Sequence, residues 1–411
     1  MSARRDTVAL AGGAAVSGLL AYAVFAVTTR ALGAETAAPV SVLWTWWGFA
    51  GAAFTFPLQH WVARTVEAHG EGAVHAALPR VGLALLATAV VTGGLAWLVR
   101  DLLFHRSDAW FPAFVLLVTI GSALVGVARG GLSARERYAA VGVSLVLENT
   151  VRLVGVAALA LAGVHSPVAF GACLVAGNLC AFLWPSALRF APYAGPARRV
   201  SPFAFLAGTG LSQLTAQVVL TSGPVVLALS GGSPAEVTTL FAAMALFRAP
   251  YILIQGSVAP LTVRLTRLVV AGEVTVLTRI RRGLVALTVL SVPLAWAVGA
   301  WLGPPLIRFV FGPDIRLEPH LAGLVAVGCT LAVVNLITLV DVIAHNRAAH
   351  VAAAWAVATV AALATYVVLG GLAPIDRTVW AFVVAEAGAQ VALLVLLPRD
   401  RHSGARRSVS P

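Results

Sequence analysis

The sequence predicts an all-α polytopic membrane protein, with about 12 transmembrane helices arranged as two six-helix bundles in parallel repeat around a central cavity. Three observations predict this fold: an apolar composition, twelve apolar stretches of spanning length, and a motif pattern that recurs in the second half. Of 411 residues, 60% are hydrophobic and 11% are charged, and the mean hydropathy is +0.92. A soluble domain carries roughly a quarter charged residues. The composition therefore excludes a soluble enzyme, a nucleic-acid-binding protein and a secreted disulfide scaffold.

A spanning helix needs about 20 predominantly apolar residues, and twelve such stretches follow one another along the chain. The first continues to Thr29 and is too long for the apolar core of a secretory signal. We divide the chain into an N-terminal six-helix bundle (1–190), a cytoplasmic linker (191–202), a C-terminal six-helix bundle (203–397) and a basic cytoplasmic tail (398–411). The predicted spans are 7–29, 38–58, 81–99, 109–128, 138–162, 167–188, 203–229, 235–258, 283–302, 320–344, 349–370 and 378–397.

The charge distribution orients these spans. The net charge is +12 and the chain has no lysine, so all 28 basic residues are arginines, most of them in the gaps between apolar runs. With the N-terminus inside, 20 arginines fall on the cytoplasmic side, six fall on the opposite side, and Arg152 and Arg248 lie within spans. Cytoplasmic loops carry the excess of basic residues. We therefore expect both termini in the cytoplasm and contacts with anionic membrane lipids, not with nucleic acid.

The two halves share spaced motifs. A Pro-Leu pair is followed by five residues and an arginine, and a Gly-Glu pair is followed by eight residues and an arginine, in each half. Chance is the alternative explanation, because glycine and arginine are abundant. If the match is a duplication of six spans, both copies insert in the same orientation, which is typical of transporters. The matched sets are Pro57-Leu58/Arg64 with Pro260-Leu261/Arg267, and Gly70-Glu71/Arg80 with Gly272-Glu273/Arg282, with a weaker match of 134–137 to 344–347.

Ionisable residues inside a span are costly and mark candidate functional sites. Glu148 and Arg152 are four residues apart, so they lie on one helix face and can pair. The pair either locks the bundle or offers Arg152 to an anionic substrate. Arg248 precedes Pro250, which should kink the helix. A mid-span arginine needs an anionic partner, a water-filled cavity or a substrate phosphate, and we interpret Arg248 as lining a cavity.

Other polar residues in the spans are weaker candidates. Asp341 lies near His345 at the end of its span, whereas Glu386 and Gln390 are one turn apart and more central. The uncharged residues fit interhelical hydrogen bonds as well as a polar cavity; they are Gln213, Gln217, Asn178, Gln255 and Asn335. The tryptophans near the start of the second span fit an aromatic belt near the outer face; they are Trp44, Trp46 and Trp47. The three cysteines lie inside apolar runs and fit small buried side chains without a disulfide; they are Cys173, Cys180 and Cys329. Without a nucleotide-binding loop, a zinc motif or a catalytic carboxylate pair, we expect no cofactor, no metal and no enzymatic activity.

Four segments carry a resemblance to a known family. They are Thr29-Arg30-Ala31-Leu32-Gly33, Leu246-Phe247-Arg248-Ala249-Pro250, the run 303–312 ending in Phe-Gly, which resembles a re-entry segment, and Gly130-Gly131-Leu132-Ser133 with Arg135, Arg137 and Tyr138. Together they resemble the polysaccharide (O-antigen-type) flippase and exporter branch of the multidrug/oligosaccharidyl-lipid/polysaccharide exporter superfamily, which also contains multidrug-and-toxin extruders and lipid II flippases. The resemblance covers essentially the whole chain, although the glycine that usually follows the first motif is absent from residues 35–38.

The resemblance implies movement of an undecaprenyl-diphosphate-linked oligosaccharide between leaflets by alternating access, alongside a polysaccharide polymerase or glycosyltransferase complex. The arginine-rich, lysine-free composition suggests a bacterial source, hence a bacterial inner membrane. Arginine pairs with phosphate in bidentate fashion. The residues that we assign on this basis are Arg248, Arg152 and, at the rim, Arg30 for substrate; Glu386, Glu148 and Asp341 for a coupling ion or proton; and Gln213, Gln217 and Gln390 for a polar cavity.

Three alternatives remain open. An ion-coupled multidrug exporter of the same fold would need an acidic cavity, and two arginines within the spans count against it. A major-facilitator bundle would carry Gly-x-x-x-Asp-Arg between its second and third spans, where this chain has Gly70-Glu71-Gly72-Ala73. A non-transporting scaffold in an envelope assembly complex would tolerate sparse charges in its cavity.

Overall fold

The structure, a computed structural model, describes residues 2–192, 202–255, 258–345 and 348–396, and these residues are almost entirely helical. The tail 398–411 and most of the linker 191–202 lie outside the described residues. The α-helices are α1 (Ser2–Thr36), α2 (Ala38–Ala50), α3 (Phe56–His69), α4 (Glu71–Leu98), α5 (Arg100–Leu103), α6 (Trp110–Ala134), α7 (Tyr138–Leu161), α8 (Pro167–Ala176), α9 (Pro202–Thr221), α10 (Gly223–Leu229), α11 (Pro234–Phe247), α12 (Ala249–Gln255), α13 (Val258–Val270), α14 (Val274–Phe311), α15 (Pro319–Ala344), α16 (Ala348–Val368) and α17 (Pro374–Leu396).

Eight of the described helices are long and apolar enough to cross a membrane: α1, α4, α6, α7, α14, α15, α16 and α17. The second, sixth, seventh and eighth predicted spans are interrupted instead. The second is α2, a π-helical turn over Gly51–Thr55 and α3, and the sixth is α8 followed by 3-10 turns over Gly177–Leu183 and Pro185–Leu188. The seventh is α9 with α10, and the eighth is α11 with α12 and α13. The chain is thus an all-α, multi-pass membrane protein, as predicted.

Two helices extend well beyond the predicted spans. Helix α4 begins at Glu71, ten residues before the predicted start, and α14 covers 38 residues, Val274–Phe311. The run 303–311, which resembled a separate re-entry segment, continues α14 as its last turns. An apolar window detects only the part of a helix that needs hydrocarbon around it. The flanking turns of these two helices carry polar residues, so the sequence pattern assigned them to loops.

The motifs that recur in the sequence lie at corresponding helix ends in the two halves. Helix α3 ends beside Gly70, which has φ 78°, and α13 ends just before Gly272, which has φ 70°. Only glycine adopts this left-handed conformation readily, and it commonly ends a helix there. The weaker match also coincides, because α6 ends at Ala134 and α15 ends at Ala344.

Helices α1 and α7 pack closely in the N-terminal half. A Cβ added at Gly13 would lie 2.7 Å from the carbonyl oxygen of Gly142, so the two backbones touch. Ser17 Oγ donates to the Leu145 carbonyl at 2.9 Å, and Asn149 Nδ2 donates to Ser17 Oγ at 2.8 Å. Small residues with short hydrogen bonds between helices are the usual means of helix association in a bilayer.

The two halves meet through α1, α2 and α3 on one side and α9, α11 and α14 on the other. An aromatic cluster fills the part of this interface that lies away from the arginine-rich loops, called here the outer side. The ring centroid of Phe25 in α1 lies 4.4 Å from that of Phe241 in α11 and 5.4 Å from that of Phe311 in α14. All three side chains are buried. The hydrophobic core therefore continues from one half into the other at this level.

The prediction of an aromatic belt at Trp44, Trp46 and Trp47 is wrong. Trp44 is buried and packs edge-on against Phe25, with ring centroids 6.2 Å apart. The indole Nε1 of Trp46 donates to Thr119 Oγ1 at 3.1 Å. Trp47 Nε1 likewise donates inside the protein, to Glu148. Since Trp44 is buried and the N–H groups of Trp46 and Trp47 find partners inside the protein, these residues pack within the bundle.

Candidate functional site

A cluster of charged side chains lies inside the N-terminal half, on α6 and α7. Glu148 accepts hydrogen bonds from Arg152 Nη2 at 2.7 Å and from Arg129 Nη2 at 2.6 Å. Trp47 Nε1 also donates to Glu148, at 3.2 Å, and its ring centroid lies 4.4 Å from Arg152 Cζ. The three charged residues, called here the buried arginine cluster, are almost inaccessible to solvent. The cluster has one more positive than negative charge.

Arg152 is enclosed and has little capacity left for a ligand. Besides Glu148, it donates to Asn149 Oδ1 at 3.1 Å, to Asn178 Oδ1 at 3.0 Å and from Nε to the Leu174 carbonyl at 2.9 Å. Four of its five N–H groups are therefore used, and its exposed fraction is 0%. The expected pairing with Glu148 is present. These hydrogen bonds join α7 to the sixth span, α8 with its 3-10 turns. They therefore favour a role of Arg152 in locking the bundle over contact with a substrate.

Arg129 belongs to this cluster, and the sequence did not reveal it. Arg129 was counted among the cytoplasmic arginines, but it lies inside α6, where its Nε donates to Ser144 Oγ at 2.9 Å. Its partner Glu148 is on the next helix, 19 positions away, so no helical spacing joins the two. A sequence signal that Arg129 lies inside a span was the apolar run, which extends past Arg129 to Leu132.

Arg248 stands at a break in the eighth segment. Helix α11 ends at Phe247 and α12 begins at Ala249, so the kink expected from Pro250 is confirmed. The side chain is partly exposed, and no hydrogen bond or ion pair of its guanidinium occurs within the described residues. The hydroxyls of Tyr22 and Tyr251 lie within electrostatic range of it. Unlike Arg152, this cation is free to accept an anion.

A second polar cluster lies in the C-terminal half, between α15 and α17. Asn335 Nδ2 donates to Glu386 Oε2 at 2.7 Å and to the Glu386 carbonyl at 2.9 Å. Glu386 Oε1 and Asn335 Oδ1 are both buried without a hydrogen-bond partner. Tyr251 of α12 lies within electrostatic range of both Glu386 and Arg248. Two unpartnered oxygens suit a proton or a small cation, because a buried polar group without a partner is costly.

Asp341 and Gln390 are buried in the same half but have protein partners. Asp341 Oδ2 lies 2.8 Å from Arg281 Nε, and His345 Nδ1 lies 3.3 Å from Asp341 Oδ1. Gln390 and Thr338 are 3.4 Å apart across α15 and α17. The pairing with Arg281, 60 positions away in α14, was not foreseen. These residues are therefore held in the wall of the C-terminal half, not in the interface between halves.

Gln213 and Gln217 lie on one face of α9, where it packs against the second segment. Both are partly exposed. Gln217 Nε2 donates to Thr221 Oγ1 at 3.3 Å and would lie 3.1 Å from a Cβ added at Gly48 of α2. The structure thus places this pair at the interface between the halves.

Hydrogen bonds close the outer side of that interface, and Arg30 makes two of them. Its Nε donates to the Val310 carbonyl at 3.0 Å and its Nη2 donates to the Phe309 carbonyl, both in the last turns of α14. Tyr22 donates to a carbonyl of α11, and His105 Nε2 lies 3.0 Å from a carbonyl in the loop before α11. Within the described residues, every hydrogen bond that joins the halves runs from an N-terminal side chain to a C-terminal main-chain carbonyl.

The arginine-rich side of the interface is packed differently. There α1 packs on α7 of its own half and α13 packs on α14 and α15, so α1 and α13 do not form a packed pair among the described residues. Helices α3 and α9 stay in contact, and Arg64 Cζ lies 5.3 Å from the ring centroid of Phe205. The halves are therefore joined by hydrogen bonds at the outer side and through α3 and α9 at the arginine-rich side, where α1 does not pack on α13.

No protein-family model matches the sequence, and no curated protein matches it. Solved structures do match, at low identity. The lipid II flippase MurJ in an inward closed conformation gives a TM-score of 0.71 at 12% identity, covering 92% of this chain and 85% of that one. A multidrug resistance MATE family transporter of the MOP superfamily in an inward-facing conformation gives 0.63 at 15% identity, with 92% of both chains covered.

An outward-facing conformation of a MATE family transporter matches less well, with a TM-score of 0.56 at 15% identity, covering 95% of this chain and 93% of that one. Likeness at such identities concerns the fold, and this chain has the twelve-helix fold of these MOP-superfamily structures. The matched proteins are transporters and flippases, not enzymes.

Proposed function

We propose that the protein is a membrane transporter that moves an undecaprenyl-diphosphate-linked oligosaccharide between the leaflets of a bacterial inner membrane by alternating access. The fold shared with MATE transporters and with the lipid II flippase MurJ supports a transporter of the MOP superfamily. In this proposal both termini are cytoplasmic, and a polysaccharide polymerase or glycosyltransferase complex uses the product. Two halves that are held together by hydrogen bonds on one side and lack packing of α1 on α13 on the other suit a rocking motion.

Arg248 carries the proposal. It is partly exposed, stands at the helix break between α11 and α12, and makes no ion pair within the described residues. A guanidinium binds phosphate oxygens in bidentate fashion, so Arg248 suits the diphosphate of the cargo. Gln213 and Gln217 line the same interface and suit the hydroxyl groups of a sugar. Arg152 keeps a role in the N-terminal half as the anchor of that half, and Arg30 contacts cargo only after the outer side opens.

Coupling is assigned to the C-terminal cluster. Glu386 Oε1 and Asn335 Oδ1 would bind a proton or a small cation, and Tyr251 connects this cluster with Arg248 through α12. Glu148 and Asp341 are weaker coupling candidates, because arginines already neutralise them. Glu386→Gln should abolish dependence on the coupling ion while leaving cargo binding intact; a variant that transports with unchanged ion dependence would remove Glu386 from this role.

The first experiment is mass spectrometry of a lipid extract from the host after deletion of the gene. We expect a polyprenyl-diphosphate oligosaccharide to accumulate. The wild-type chain and Arg106→Ala, which alters an exposed outer arginine, should reverse the accumulation, and Arg248→Ala at equal protein level should not. Full reversal by Arg248→Ala would end the diphosphate role. An unchanged lipid profile with altered drug sensitivity would favour a multidrug exporter, and no change in either would favour the scaffold.

A further inference from the structure

A groove opens between α4 and α6 on the outside of the N-terminal half. Its volume is about 270 Å³, and all ten residues that line it are apolar. Leu78 and Leu86 mark its extent along α4, Ile120 lies on the opposite wall in α6, and Leu188 closes one end. Eight residues of helix at about 1.5 Å each give a length of about 12 Å. All ten lining residues belong to the N-terminal half.

The groove lies toward the arginine-rich side of the bundle. Helix α4 begins on that side at Glu71, seven residues before Leu78, and Leu188 is followed at once by Arg189. By the distribution of basic residues, this side faces the cytoplasm. Since the walls belong to spanning helices, the groove opens to the hydrocarbon of the inner leaflet.

Two arginines stand at the end of the groove next to Leu188. Arg135 Nη1 donates to the Ser186 carbonyl at 2.9 Å, and its Nη2 donates to the Arg189 carbonyl at 2.8 Å. Glu71 Oε1 pairs with Arg135 at 2.9 Å, and Glu71 Oε2 accepts the N–H of Ala191 at 2.9 Å. Both oxygens of this carboxylate are thus engaged. The exposed guanidinium of Arg189 has no partner within the described part of the chain.

We propose that this groove is a binding site for an anionic glycerophospholipid of the inner leaflet. One acyl chain fills the apolar groove, and the phosphate headgroup contacts Arg189 and the exposed part of Arg135. Basic pockets on the cytoplasmic side of spanning helices bind anionic headgroups in this manner. The charge at the groove end is complementary to such a lipid, and a zwitterionic lipid of the same chains lacks the net negative charge. The site is independent of the cargo that the interface binds.

Gly82 provides a direct perturbation of the acyl-chain part. It lines the groove, and a Cβ added there would have no atom within 4 Å, so Gly82→Leu adds a side chain at the groove without a clash at its Cβ. Gly94 offers the matched control. It lies on the same helix, outside the groove, and its added Cβ also meets nothing within 4 Å. Gly94→Leu therefore adds the same side chain to the same helix and leaves the groove open.

The test measures lipid affinity of the purified full chain in detergent by native mass spectrometry and by thermal unfolding. The probes are dioleoyl phosphatidylglycerol and dioleoyl phosphatidylcholine. We expect the wild type and Gly94→Leu to bind phosphatidylglycerol more tightly than phosphatidylcholine. Gly82→Leu should lose that preference. Arg189→Gln should lower the preference about fivefold, which corresponds to one arginine near an anionic headgroup.

Three results would overturn the proposal. Equal binding of both lipids by the wild type would remove the headgroup contact, and full preference in Gly82→Leu would place the lipid elsewhere. Binding of undecaprenyl diphosphate in place of phosphatidylglycerol, lost in Gly82→Leu, would make the groove a site for the isoprenoid tail. Failure of the cargo experiment with Arg248 affects none of these readouts, so the two proposals fail separately.

Discussion

Replacing Arg30 by alanine should loosen the closed outer side of the interface. The substitution removes two charge-assisted hydrogen bonds to the last turns of α14, from Arg30 to the carbonyls of Val310 and Phe309. A cation also interacts favourably with the C-terminal end of a helix. Because the guanidinium is exposed, part of this stabilisation is lost to water, and we expect about 1–2 kcal/mol, or a five- to thirtyfold shift toward the open state.

The assay is a distance measurement between spin labels on the outer side, one in each half. Suitable positions are Asp101 and Glu318, whose side chains are 66% and 74% exposed, in a background without the three native cysteines. Arg30→Ala should increase the population at long distance. Arg106→Ala is the matched control, because Arg106 pairs with Asp108 of its own half at 2.6 Å. Identical distance distributions for Arg30→Ala and wild type would refute a role of Arg30 in closure.

Two further predictions concern stability, each measured as thermal unfolding of the detergent-solubilised chain against a matched variant. Glu148→Gln leaves two buried guanidinium groups without an anion and should destabilise by about 3–5 kcal/mol, whereas Glu71→Gln removes one partly exposed pair and should cost about 1 kcal/mol or less. Gly13→Ala forces a Cβ against the backbone of Gly142 and should destabilise by about 1–3 kcal/mol, whereas Gly12→Ala meets no atom within 4 Å and should be neutral or stabilising. Equal melting temperatures within either pair would contradict the packing described above.

The features that the sequence predicted correctly are local ones. The twelve segments follow from the run length of apolar residues, and the break beside Arg248 follows from Pro250, two residues away. The Glu148–Arg152 pair follows from a spacing of four on one helix. In each case the physical cause lies within a single segment of the chain, so no knowledge of the packing was needed.

The features that the sequence missed depend on which helices pack together. Arg129 of α6 pairs with Glu148 of the neighbouring helix α7, and Arg281 of α14 pairs with Asp341 of α15, 60 positions further along the chain. A tryptophan near a span end fits a headgroup belt and a helix interface equally well in sequence, and only the partner of Trp46, Thr119 of α6, decides between them. Loop and span arginines likewise look alike until the neighbouring helix is placed. The groove between α4 and α6 has no sequence signature, because its residues are the same apolar types that face lipid elsewhere.

The direction of the hydrogen bonds that close the outer side has a consequence for how the two halves tolerate change. Tyr22, Arg30 and His105 donate, and the acceptors are backbone carbonyls, which every amino acid supplies. Substitutions in the outer turns of the C-terminal half can therefore alter its side chains without removing an acceptor, provided that the backbone keeps its course. The N-terminal half has no such freedom at those three positions. A hybrid chain that joins this N-terminal half to the C-terminal half of a distant homologue should still close, and the reverse hybrid should not.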